Sequence, residues 1–165
     1  MTTVLFLVAA AVAVIATLRV ITQLHIVHAL LYLIVSFLAV AVVFYLLGAP
    51  FIAALEVIVY AGAIMVLFVF VVMMLNQGLR EVEQERRWLV RGMWTGPSLL
   101  AAVLLVEVLY LVWHRTPSGE SSVVGPREVG LALYGPYLIA VELGSLLLLP
   151  GIIGAYHLGR REPKE

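Results

Sequence analysis

Between Val20 and Leu55 the chain carries no Asp, Glu, Lys or Arg. A run of this kind has no polar face to turn toward water, whatever secondary structure it adopts. A membrane-crossing helix needs roughly 20 mostly apolar residues, and this run is too long for one. Its strong breaker is Gly48-Ala49-Pro50. Gly-x-Pro marks a turn, and Pro is well tolerated at the start of a helix. The run therefore splits into a second span at about 26–47 and a third at about 51–75. Ahead of it, Val4 to Leu18 is uncharged and closed by Arg19. With its flanks this gives a first span at about 3–22. Met1-Thr2-Thr3 supplies no basic n-region, so the first span is expected to be retained rather than cleaved.

Downstream, residues 76–91 are strongly polar and read as a loop, followed by a fourth span at about 94–113. Residues 115–130, rich in Pro, Gly, Ser and charge, read as a second loop, and a fifth span follows at about 132–157. A short charged tail ends the chain. The expected fold is all-α: a single membrane domain over residues 1–165, built from five transmembrane helices. Composition agrees. The chain is 64% hydrophobic and 12% charged, with ten basic and ten acidic residues, every acid a Glu. A soluble domain is nearer about 45–50% apolar and about 25% charged. This excludes an ordinary cytosolic enzyme, a nucleic-acid binder and a disordered tail. Strands are excluded differently. Barrel strands alternate apolar and polar residues, whereas Val66-Leu67-Phe68-Val69-Phe70-Val71-Val72 is apolar on both faces. The absence of Cys removes disulfides, Fe–S ligation and cysteine-type zinc sites.

Five alternating spans put Arg19, Arg80, Arg86, Arg87, Arg91, Arg160, Arg161 and Lys164 on one side, and Arg115 and Arg127 on the other. Basic residues favour the cytoplasm, so the N-terminus is expected outside and the C-terminus inside.

Three glutamates fall within spans: Glu56, Glu107 and Glu142. An ionisable residue in a span is costly and is a functional hypothesis by default. The competing reading is a carboxyl hydrogen-bonded to a neighbouring helix or reaching toward headgroups, and it is favoured for Glu107. Glu56 lies roughly 8 Å inside the end of span three. Glu142 is near mid-membrane if span five starts at 131, and shallower if Pro136 is its first residue. His25 and His28 share a helix face but lack further ligands for a metal site. His114 and His157 stand at span ends, where amphipathic rings commonly settle.

Span three carries the most pointed pattern. Glu56, Tyr60 and Ala63 share one face at helical spacing. Ala61-Gly62-Ala63 is a small-residue patch that lets a neighbouring backbone come close. Gly62 weakens the helix, and a Gly beside a bulky Tyr with β-branched flanks could host a π-bulge. Ordinary tight packing would use the same residues.

The block from Glu56 to Asn76, EVIVYAGAIMVLFVFVVMMLN, resembles the third span of the J-subunit family of bacterial NADH–quinone oxidoreductase, respiratory complex I. The mitochondrial counterpart is the sixth ND subunit. Other blocks agree in order: Arg19-Val-Ile-Thr22, His28-Ala-Leu-Leu-Tyr-Leu33, Glu83-Gln-Glu-Arg86, Tyr134-Gly-Pro-Tyr137, Ala140-Val-Glu142-Leu and His157-Leu-Gly-Arg160. The resemblance covers residues 17–160. It implies a subunit of the membrane arm, packed against the quinone-chamber and antiporter-like subunits. It implies no cofactor on this chain; FMN, iron–sulfur clusters, NADH and quinone belong to other subunits. It implies a π-bulge near Tyr60–Gly62 and a switch of that helix between bulged and regular forms. The switch would gate a hydrated path from the quinone site to the proton-pumping chain. Tyr60, Ala61, Gly62, Ala63, Met65 and Phe68 carry over as gating positions, and Glu56 and Glu142 as polar contacts or proton path. Glu107 and Pro150 depart from the family pattern; Pro150 removes a hydrogen bond to Leu146 and tends to kink span five. A purely structural packing subunit and a small proton-coupled transporter are the competing classes. A transporter of this size often shows internal repeats, and none is seen between the two halves.

Overall fold

A computed structural model describes residues 2–75, 94–114 and 123–159. The loop expected at 76–91, the first part of the second loop and the charged tail lie outside the described residues, and most of the basic residues used for orientation lie with them. The described residues are helical with no strand. Five helices are long and apolar enough to cross a membrane. Helices α1 (Thr2–Thr22) and α2 (Ile26–Leu46) form the first two spans. The third span runs through α3 (Pro50–Leu55), a π-helical stretch (Glu56–Ile64) and α4 (Met65–Leu75). The fourth is α5 (Thr95–His114). A short α6 (Pro126–Leu133) precedes α7 (Leu138–Gly159), the fifth span.

Contacts divide the chain into two units, Met1–Val124 and Gly125–Glu165. In the first unit, α1 and α2 pack together along small residues. Ala9, Val12 and Ala16 of α1 are buried, as are Val35, Ala39 and Val42 of α2. Helices gain little from hydrophobic burial in lipid, so close packing over small side chains and interhelical hydrogen bonds holds them. Thr17 Oγ1 and Ser36 Oγ are 2.8 Å apart across this interface. Leu104 and Leu111 of α5 complete two core clusters with these residues.

The turn after α2 follows from Gly48. Its φ of 84° is open to Gly at no steric cost. The Gly48 N–H donates to Tyr45 O at 3.1 Å and the Ala49 N–H to Phe44 O at 3.0 Å, the bond pattern of a Schellman stop. Pro50 then opens α3 at a position that needs no N–H. The Val124 N–H reaches Gly48 O at 2.9 Å, so this turn and the end of the second loop share one end of the unit.

In the second unit the fifth span starts later than the expected residue 132. Residues 126–133 form the separate helix α6, capped by Glu128 Oε2, which accepts from the Gly125 N–H at 3.0 Å. Tyr134 to Tyr137 make a turn, and α7 begins at Leu138. Pro136 is the cause. In a helix running from 132 its ring would collide with the carbonyl of Ala132, and it biases Gly135 away from helical geometry. The α7 helix itself continues through Pro150.

Candidate functional site

The third span is π-wound over nine residues, from Glu56 to Ile64. A π turn closes hydrogen bonds to the fifth residue back rather than the fourth. At its end the Met65 N–H donates to Tyr60 O, five back, and also to Gly62 O. Regular α-helix resumes in α4.

Gly62 comes close to the backbone of the preceding turn. A Cβ built there would lie 3.1 Å from the carbonyl oxygen of Val57, five residues earlier. That is closer than a methyl group normally sits, so any side chain would push on the turn. The small neighbours Ala61 and Ala63 add no bulk along it.

The wide winding also revises one expectation. Glu56, Tyr60 and Ala63 were placed on one face by the spacing of a regular helix, but that rule needs 3.6 residues per turn. Where bonds run to the fifth residue each turn holds more residues than that, and Ala63, seven residues on, leaves the face of Glu56.

Each side chain has a distinct setting. The Tyr60 ring is 5.5 Å from the Phe37 ring of α2, tilted by 57°. Met65, the first residue of α4, is 1% exposed. Glu56 is half-buried, Ala61 and Gly62 are partly covered, and Ala63 and Phe68 are exposed. All three segments of the span pack on α2. Five of the six gating positions therefore fall within the π stretch or directly at its end, whereas Phe68 lies on the exposed face of α4. Glu142 lies in the second unit on α7, exposed, four residues past the start of that helix. This is the shallower of the two depths allowed by the sequence.

Glu107 departs most from its expected setting. It is 4% exposed on α5, and neither carboxyl oxygen has a hydrogen-bond partner among the described residues. It is neither bonded to a neighbouring helix nor turned outward. Leu104, Glu107 and Leu111 form one buried stripe at three and four residues, but on a helix apolar all round no spacing sets that face apart from the others. His28 is buried as well, with its ring 6.0 Å from His25 and 6.3 Å from Trp94. Phe37 is the partner that sequence reasoning missed; it has no motif of its own and is found only by the packing of α2.

Residues 16–158 match the sequence family described as NADH-ubiquinone/plastoquinone oxidoreductase chain 6. The chain is 63% identical over 163 residues to NADH-quinone oxidoreductase subunit J of Pseudomonas aeruginosa, covering 97% of this chain and 98% of the relative. It is 54% identical over 158 residues to subunit J of Escherichia coli K12, covering 95% and 86%. It is 45% identical over 152 residues to subunit J of Buchnera aphidicola, covering 92% and 93%.

Proposed function

The chain belongs to the NADH-ubiquinone/plastoquinone oxidoreductase chain 6 family, and from that premise we propose that it is a coupling subunit in the membrane arm of a proton-pumping NADH–quinone oxidoreductase. It sits in the bacterial cytoplasmic membrane with its N-terminus outside and its C-terminus inside, among the quinone-chamber and antiporter-like subunits. It supplies no redox group. FMN, iron–sulfur clusters, NADH and quinone are handled by other subunits.

The observation that supports this reading is the π-wound stretch Glu56–Ile64 in an otherwise regular span. Such stretches favour functional sites. Rewinding π to α changes the number of residues per turn, so everything downstream must rotate about the helix axis. Each residue of register is worth about 100° in a regular helix. Rewinding would carry Met65 out of its buried seat and bring a neighbouring residue in. That exchange of side chains is the gate: one winding seals the interface beside α2, and the other leaves a path for water and protons. Gly62 lets both windings exist, because no side chain obstructs Val57 O in one of them. Tyr60, held on Phe37, marks the pivot, and Glu56 stands at the entrance as a polar contact to the proton path. Glu142 is a second polar contact from the fifth span.

Gly62→Val tests the gate in native membranes. A valine at this position crowds Val57 O and biases the winding. The expected result is an intact complex on a native gel with severely reduced coupled NADH–quinone turnover. Wild-type turnover and pumping would sink the gate. Loss of the intact complex would instead favour a packing role for the small-residue patch.

A further inference from the structure

The gate leaves one buried acid unused. Glu107 lies on α5 between Leu104, which joins a core cluster of Val12, Ala16, Val35 and Ala39, and Leu111, which joins a second of Ala9 and Val42. Among the described residues its carboxyl oxygens have no hydrogen-bond partner. Arg19 is in the last turn of α1. Thr17 and Ser36 bond one another. His25 caps the start of α2 and His28 lies in its first turn, with the His28 ring 6.3 Å from that of Trp94. Tyr45 packs on the second cluster without reaching the carboxyl. On α5 itself, the Tyr110 ring stacks on His114 at 4.0 Å. Beside Glu107, Val4 and Val8 of α1 and Leu99, Val103, Val106 and Tyr110 of α5 wall an apolar groove of about 660 Å³, which Glu107 also lines.

An ionised carboxylate without partners is the form that apolar surroundings penalise most, and such groups neutralise rather than stay charged. We propose that Glu107 is a membrane-embedded proton-binding carboxyl, held as the neutral acid and reached by apolar carboxyl reagents through the groove between α1 and α5. The proposal uses neither Glu56 nor Glu142, and it does not depend on the gate.

Carbodiimide chemistry reads out that state. A carboxylic acid gives its proton to one carbodiimide nitrogen while its oxygen bonds the central carbon, forming an O-acylisourea. Where water is excluded, the acyl group migrates from oxygen to the neighbouring nitrogen: the C–O bond breaks, an N-acyl bond forms, and the whole reagent stays attached. No oxidant, reductant or leaving group is involved.

The test treats the intact complex in native membranes with dicyclohexylcarbodiimide or with a water-soluble, cationic carbodiimide, and maps adducts by tandem mass spectrometry. The expected result is an adduct on Glu107 from the apolar reagent alone. Glu107→Gln should remove that adduct and keep assembly and turnover close to wild type, because the amide stands in for the neutral acid. Val103→Trp, which fills the groove, should slow the labelling. The proposal is overturned if Glu107 stays unlabelled while other carboxyls of the complex react, or if the water-soluble reagent labels it equally. It is also overturned if Glu107→Gln assembles but loses turnover, since the charged form would then be needed. If Glu107→Gln does not assemble, the wild-type adduct map and the Val103→Trp rate decide.

Discussion

Gly48 and Gly62 are both small, but they are small for different reasons. Gly48 sits at φ 84°, where an L side chain costs about 1–2 kcal/mol. Gly62 has no positive φ and is constrained by the Val57 carbonyl instead. Gly48→Ala should therefore weaken the turn between spans two and three by roughly that 1–2 kcal/mol. The measurement is the temperature at which the assembled complex loses this chain on a native gel. It should fall, and an unchanged temperature would show that the turn is held by its neighbours. The three span glutamates differ just as much. Sequence treats them alike, yet Glu56 is half-buried, Glu142 exposed and Glu107 enclosed. Burial separates them, and burial is a property of neighbours that one helix cannot report.

The third span is the element in which local and tertiary terms meet. Its polarity pattern predicts a membrane helix, and the segment Pro50–Met74 is helical and long and apolar enough to cross a membrane. Its winding is a finer matter. An i to i+5 turn is less favourable than an α turn, so it persists where packing holds it. The ring contact between this stretch and α2 is Tyr60 against Phe37. Aromatic pairs contribute about 0.5–1.5 kcal/mol beyond their area, which corresponds to a several-fold shift between two windings of similar energy. Phe37→Ala should thus lower coupled turnover several-fold while the complex stays assembled. If turnover is unaffected, the π stretch does not depend on that ring. The fifth span shows the opposite case, with local chemistry prevailing. Gly135-Pro136 ends any helix arriving from α6, and of the two starts that the sequence allowed, Pro136 is the nearer to the observed Leu138.

For the whole molecule, the first prediction concerns orientation. Eight of the ten basic residues fall on one side if five spans alternate, and this is the basis for placing the C-terminus inside. The natural lack of Cys makes the check direct. Gln84→Cys and Ser118→Cys should react with a membrane-impermeant maleimide from opposite faces. In intact cells Ser118→Cys is labelled and Gln84→Cys is not, and inverted vesicles reverse the pattern. Labelling of both from one face would remove the alternation.

Much of this protein was legible before any fold was known. Charge-free runs fixed the number of spans because no unpaired charge settles cheaply in lipid. Gly48 and Pro50 placed the break between spans two and three, since backbone dihedrals are decided locally. The small patch at Ala61–Ala63 lies within the stretch where the winding departs from regular helix, although ordinary packing would use the same residues. Tertiary structure alone decided how far the π winding extends, that Tyr60 leans on Phe37, and that Met65 rather than Phe68 is enclosed. It also decided that Glu107, and not the other two span glutamates, is shut inside a helix interface. Apolarity is read from one residue at a time, whereas enclosure depends on which helices meet, and residues as distant in sequence as Ala9, Val42 and Leu111 meet only in the folded chain.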